Sequence, residues 1–216
     1  MKRLSRRHTR IIFLALLVGI GVIAVFLIRG AGGDSPRNLK ASETCLEDIF
    51  SGDPDPLERL ISPDSSFTAD WSREVIERSL QLTCKNSTDS ATVVMTAETR
   101  DGTRQDWFSS LKNHKQVGKK SEASRFDVGT EALAWDNAAA IYSECKPYSE
   151  GSSHTQGMKR PYLSIVATAT GTASSNNDEH RTDLANVAVK MLYEAQMQTG
   201  CQESFVPPSG PPRIES

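Results

Sequence analysis

From Ile11 to Ile28 the chain runs 18 residues without a charge, and only Gly19 and Gly21 interrupt its apolar side chains. As a helix this stretch covers roughly 27 Å at ~1.5 Å per residue, close to the ~30 Å hydrocarbon core of a bilayer. It is apolar on every face, whereas a helix at the surface of a small domain carries one apolar stripe. A cleavable export signal has an apolar region of about 7–15 residues ending in small side chains, but here Arg29 follows directly. The first cysteine is Cys45, too far downstream for a lipid-modified N-terminus. The pattern therefore predicts an uncleaved transmembrane helix over 11–28. Lys2, Arg3, Arg6, Arg7 and Arg10 precede it, and only Arg29 follows before Asp34. Basic flanks stay in the cytoplasm, which makes residues 1–10 a cytoplasmic head and places the rest outside.

Beyond the span, RGAGGDSPRNLKA (29–41) reads as a flexible spacer. Ser42 is a helix cap before Leu46, Ile49 and Phe50, SGDPDP breaks that helix, and Asp55-Pro56 opens a turn through Ile61. A third short helix is expected from Trp71 to Arg78. LQLTC then places Leu80, Leu82 and Cys84 on one face, and ATVVMTAET does the same with Val93, Met95 and Ala97; the alternation predicts a hairpin. RQDWFSSLKN spaces Trp107, Phe108 and Leu111 as a helix does, and KQVGKKSEAS reads as a basic, mobile loop. EALAWDNAAAIYSEC predicts a second hairpin turning at Asp136-Asn137, and YLSIVATAT a further strand. The clearest helical pattern follows at about 180–199, with Leu184, Val187, Ala188, Met191, Leu192 and Ala195 at i, i+3, i+4, i+7, i+8 and i+11, ended by Gly200. The proline-rich tail, 203–216, is expected to be unfolded. The fold class is α+β: one transmembrane helix, then an antiparallel sheet of about five strands with helices packed on one face, over 42–202.

Four widely spaced cysteines, Cys45, Cys84, Cys145 and Cys201, read as two disulfides outside the cytoplasm. Three connectivities are open; Cys45–Cys84 with Cys145–Cys201 is preferred because each ties a helix to a strand nearby in the chain. Charge separates along the same boundary. The first 30 residues hold six basic side chains and no acid, leaving 19 basic against 27 acidic beyond them. An acidic outer domain argues against nucleic acid as a partner.

Candidate chemistry is sparse. There is no G-x-S-x-G, no phosphate-cradling glycine loop and no Cys/His cluster, so no catalytic residue, cofactor or metal is expected. His180 has Asp178 and Asp183 nearby, an arrangement that helix capping explains; His114 and His154 fall in loops. Asp53 and Asp55 are too few for calcium, and the NNDE run at 176–179 carries no more weight. Asn86-Ser87-Thr88 matches a glycosylation acceptor placed on a turn. Trp71, Trp107 and Trp135 read as core anchors.

The basic head, the single anchor, Cys45 before Cys84 on LQLTC, RFDVGTEALAWDNAAAIYSEC leading to Cys145, and the amphipathic helix ending at Cys201 resemble small single-pass or lipid-anchored envelope proteins of actinobacteria. The resemblance spans most of residues 1–201 and departs from the lipid-anchored members in lacking their lipid-bearing cysteine. It implies an envelope location at the cell membrane and brings no catalytic residues. Two functions follow as expectations. One is a binding or scaffold domain, not an enzyme, that meets an envelope protein or small ligand and is held to the lipid bilayer through 11–28. The other is an envelope hydrolase, which requires His114, His154 or His180 to converge with a carboxylate or serine.

Overall fold

The computed structural model of the chain describes residues 39–40, 43–45, 55–62, 66–77, 79–146, 154–171, 177–201 and 210–215. The basic head, the span over 11–28, most of the spacer and the helix expected after Ser42 lie outside these residues. Among the described residues no helix is long and apolar enough to cross a membrane.

Seven strands form one antiparallel sheet: β1 (Thr68–Ile76), β2 (Ser79–Ser87), β3 (Thr92–Asp101), β4 (Ser124–Arg125), β5 (Glu131–Trp135), β6 (Ala138–Glu144) and β7 (Pro161–Thr170). Their spatial order is β1-β2-β3-β7-β6-β5-β4. Among the described residues three α-helices accompany them: α1 (Asp55–Ile61), α2 (Arg104–Leu111) and α3 (Asn177–Thr199). The α+β class holds, with seven strands in place of about five. The helix expected from Trp71 to Arg78 is instead β1, which pairs with β2 over nine residues, from Thr68↔Ser87 to Ile76↔Ser79. The spacing of Trp71, Val75 and Ile76 suits a helix, but the available β2 edge decides the conformation.

Alternation works where one face meets water. Leu80, Leu82 and Cys84 of β2 and Val93, Met95 and Ala97 of β3 are buried, and the residues between them are more exposed. Strands β5, β6 and β7 read instead as nearly unbroken apolar runs because both their faces are covered. On one face Ala132, Ala139, Ile141, Ile165 and Ala167 join the main core with α1 and α3. On the other, Leu133, Trp135, Ala138, Ala140, Tyr142, Tyr162 and Val166 pack with Trp107 and Leu111 of α2. Helices therefore lie on both faces of the sheet, not one. The segment read as a mobile basic loop closes this second face: Val117 and Ala123 pack against it, and Trp135 Nε1 donates to the Lys119 carbonyl at 2.9 Å.

Helix α3 lies across the main core, burying Leu184, Val187, Ala188, Met191, Leu192 and Ala195 as the spacing predicts. Each fully buried leucine, valine or methionine of this stripe contributes about 2 kcal/mol. Gly200, at φ +65°, ends the helix in the left-handed conformation that glycine adopts without strain. Leu57, Leu60 and Ile61 seat α1 in the same core, and the Arg59 guanidinium holds the Asp183 carboxylate of α3 with both Nε (2.9 and 3.1 Å) and Nη2 (2.6 Å).

Two segments expected to be loose are packed at their described ends. Leu39, in the spacer, is buried in the main core and its N–H donates to Glu58. In the tail, Ile214 bridges Phe126 and packs on the core, and Glu215 N–H donates to the Arg125 carbonyl at 2.8 Å. All described residues belong to one unit, Arg37–Ser216.

Candidate functional site

The disulfides are Cys45–Cys84 and Cys145–Cys201, with Cα separations of 5.7 and 5.1 Å. The pairing preferred from chain proximity is the one formed. The first ties the segment before α1 to β2, and the second ties the end of β6 to the residue after α3. Covalent pairs of this kind belong to an oxidising, extracellular setting.

Around the second disulfide the sheet ends in a cluster of functional groups. β3 finishes at Asp101, the chain turns through Gly102, and α2 starts against the ends of β6 and β7. Thr103 caps α2. Its hydroxyl accepts from Asp106 N–H at 3.3 Å, while the Asp106 carboxylate accepts from Thr103 N–H at 2.8 Å and from its hydroxyl at 2.7 Å. The Thr103 backbone and hydroxyl donors hold the Asp106 carboxyl below the usual range. Asp101 does the same work across the sheet end, accepting from Arg160 N–H at 2.7 Å and Lys159 N–H at 3.1 Å, and the Arg160 and Lys159 backbone donors lower its carboxyl too.

Two clefts flank this junction. The first, about 480 Å³, is lined by Arg104, Lys146 and Arg160, with Tyr142, Thr130 and the single carboxylate Glu144. The second, about 550 Å³, is lined by Glu77, Glu98, Asp101 and Asp106, with Arg100 and Tyr162. One wall is cationic and the other acidic. Between them Tyr142 and Tyr162 pack with ring centroids 4.8 Å apart and planes tilted by 37°, and Trp107 packs on Tyr142 at 5.7 Å. These separations are within the favourable range for aromatic pairs and fix the rings in place. Burial raises both phenols above the ordinary tyrosine value, so at neutral pH they are protonated hydrogen-bonding groups rather than bases.

The basic wall has a buried support. Glu131 on β5, its side chain 4% exposed, meets Arg104 Nε at 3.0 Å, Lys120 Nζ at 2.9 Å and Arg125 Nη2 at 3.9 Å. Lys120 also lies 5.2 Å above the Phe108 ring. Three cationic groups thus surround the buried carboxylate, although neither of its oxygens accepts a hydrogen bond among the described residues.

The residues singled out in the sequence do not gather there. His180 is buried with Nδ1 against the Asp136 carbonyl. A carbonyl only accepts, so Nδ1 carries the proton, and Nε2 has no hydrogen-bond partner. Asp183 belongs to Arg59. Asp178 stands at the start of α3. His114 lies near Glu98 and Arg100, and His154 near Arg73; in both, burial lowers the imidazole below its ordinary value. Neither ring hydrogen-bonds a carboxylate or serine among the described residues. Asp53 and the side chain of Asp55 lie outside those residues. Asn86 is not on a turn: it is buried within β2, and its amide donates to Cys84 Sγ at 3.2 Å and Cys45 Sγ at 3.5 Å, so it is no glycan acceptor. Trp107 and Trp135 are core residues, whereas Trp71 is 39% exposed on the edge strand.

Tyr142, Tyr162, Arg104 and Arg160 went unnoticed in the sequence. One signal was available: period-2 parity along AAAIYSE and PYLSIV puts both tyrosines on the face opposite Ile141 and Leu163, at neighbouring ends of paired strands. Comparison with protein-family models, with curated proteins and with solved structures found no match.

Proposed function

We propose that the chain is a binding module displayed outside the cell membrane, anchored in the lipid bilayer by residues 11–28 with its N-terminus in the cytoplasm. The observation that carries the reading is the pair of oppositely charged clefts flanking a packed tyrosine pair at one end of a disulfide-held sheet. Packed aromatic rings, an arginine held by Glu131 and capped carboxylates form a polar surface suited to recognition. Asp101 and Asp106 already accept backbone hydrogens and are held ionised, and the tyrosines are held protonated, so none of the four is tuned toward proton transfer near neutral pH. The sequence supports the remainder: the apolar run has the length of a bilayer span, and its basic flank sets the orientation.

Two measurements test this. Alkaline phosphatase fused after Lys40 is active if the domain is exported; inactivity overturns the proposed topology. A photo-crosslinking residue placed at Thr130 in the full-length protein, in intact cells, should give an adduct that the same residue at Lys85 does not. Efficient photolysis with no adduct at Thr130, or the same adducts at both positions, overturns the binding reading.

A further inference from the structure

We infer that the first cleft seats an oxyanion head group, phosphate or carboxylate, between the guanidinium groups of Arg104 and Arg160. The inference rests on the binding reading above and gives that site its ligand class. Arg104 is the first residue of α2, and its Nε side is committed to the buried Glu131 at 3.0 Å. Its Nη groups make no hydrogen bond among the described residues, and they are the part of the fork that remains for a ligand. Arg160 has the complementary arrangement. Its backbone is fixed, N–H on Asp101 at 2.7 Å and carbonyl accepting from Gly102 N–H at 3.1 Å. Its guanidinium, however, makes no hydrogen bond or ion pair among the described residues. Lys146 and the Tyr142 hydroxyl share the cleft, and Glu144 is the one carboxylate in its wall.

A positive wall is the exception in this chain, whose residues after the first 30 hold 27 acidic against 19 basic side chains. Local cationic surface on an acidic domain selects anions by position rather than by overall charge. A guanidinium presents paired N–H donors that match the spacing of two oxygens on a phosphate or carboxylate. At the start of α2 the capping box takes the Thr103 and Asp106 N–H groups, so the proposal rests on the two guanidinium groups. Pro161 and the Cys145–Cys201 bridge supply the apolar part of the lining. A cleft of about 480 Å³ accommodates a head group with a short body.

The test uses the full-length, isotope-labelled chain in non-ionic micelles, titrated with inorganic phosphate, with acetate, and with chloride at matched ionic strength. Saturable shifts are expected at the Gly102, Thr103 and Thr130 amides and at the Arg104 and Arg160 Nε–H groups, with phosphate or acetate and not with chloride. Saturation by phosphate alone assigns a phosphate head group, and saturation by acetate alone a carboxylate. Arg160→Gln should weaken the response about tenfold or more, since a charge-assisted bond to the ligand is lost, and Lys85→Gln should leave it unchanged. Arg104→Gln should weaken it as well, but Arg160→Gln decides, because its guanidinium makes no hydrogen bond or ion pair among the described residues. Shifts that follow ionic strength alone, or that persist in Arg160→Gln, overturn the assignment. If the anions fail while Thr130 still gives its specific adduct, only the ligand class falls; if both fail, the binding reading falls with it.

Discussion

Replacing Arg59 by Met leaves the apolar stem on α1 and removes the guanidinium that hydrogen-bonds a nearly inaccessible carboxylate. Asp183 is 4% exposed and receives Nε at 2.9 Å and Nη2 at 2.6 Å, while Arg59 is 46% exposed. The two partners therefore differ in what remains when the other is deleted. Stranding one ion of a buried pair costs about 3–5 kcal/mol, and the opening left by half-exposed Arg59 admits water, so about 2–3 kcal/mol is expected for Arg59→Met. Asp183→Asn preserves shape and strands only Arg59, which is already hydrated and has Glu179 at 3.9 Å as a second partner; about 1 kcal/mol is expected. The gap of 1–2 kcal/mol corresponds to roughly tenfold in the folding equilibrium. Urea unfolding of the full chain in non-ionic micelles, followed by the fluorescence of buried Trp107 and Trp135, resolves this at a common m-value. If Asp183→Asn destabilises as much as Arg59→Met, the carboxylate is not desolvated and the account of the α1–α3 contact is wrong.

Removing either disulfide by paired Cys→Ala changes should cost about 4 kcal/mol on the chain-entropy model, read as a lower urea midpoint, given separations of 39 and 56 residues; an unchanged midpoint refutes that. A Cβ on Gly171 would lie 1.9 Å from the Ser90 carbonyl oxygen, whereas one on Gly200 meets nothing within 4 Å. Gly171→Ala should thus cost about 3 kcal/mol or more and Gly200→Ala only about 1 kcal/mol, and equal losses in thermal melts would contradict the packing described. Because Asp101 and Asp106 titrate below the ordinary carboxyl value, their contribution to stability is fully present above about pH 3.9 and is lost as pH falls through the lowered values. Carboxyl carbon titrations should give midpoints below that of a free aspartate; midpoints at or above it contradict the backbone hydrogen bonds assigned to them.

Sequence reasoning succeeded where a residue's surroundings repeat with its position. The β2–β3 hairpin and α3 have one buried face and one wetter face, so period 2 and period 3.6 are written directly in LQLTC, ATVVMTAET and the Leu184–Ala195 stripe. Cysteine pairing followed from proximity in the chain. It failed where a distant segment sets the environment. β1 carries Asp70, Arg73 and Glu74 among Trp71, Val75 and Ile76 because an edge strand meets solvent on both faces, and no local period marks it. The 112–123 segment looks soluble and is packed because Trp135 and Glu131, on β5, supply its partners. The clefts are the extreme case: Arg104, Tyr142 and Arg160 are brought together by β-sheet register and one capped helix, and no window of sequence contains all three.

The two edges of the sheet end differently. At β4 residues 214–215 lie alongside, with Ile214 bridged to Phe126 and Glu215 bonded to Arg125. At β1 no strand among the described residues pairs with the outer side, and Val75 and Ile76 are 56% and 52% exposed. A sheet open at both sides can recruit copies without limit and grow into a fibre. A sheet open at one side can accept a single neighbour, related to it by a two-fold axis, and then offers no further template. Strand-to-strand association through the open β1 edge therefore stops at two copies.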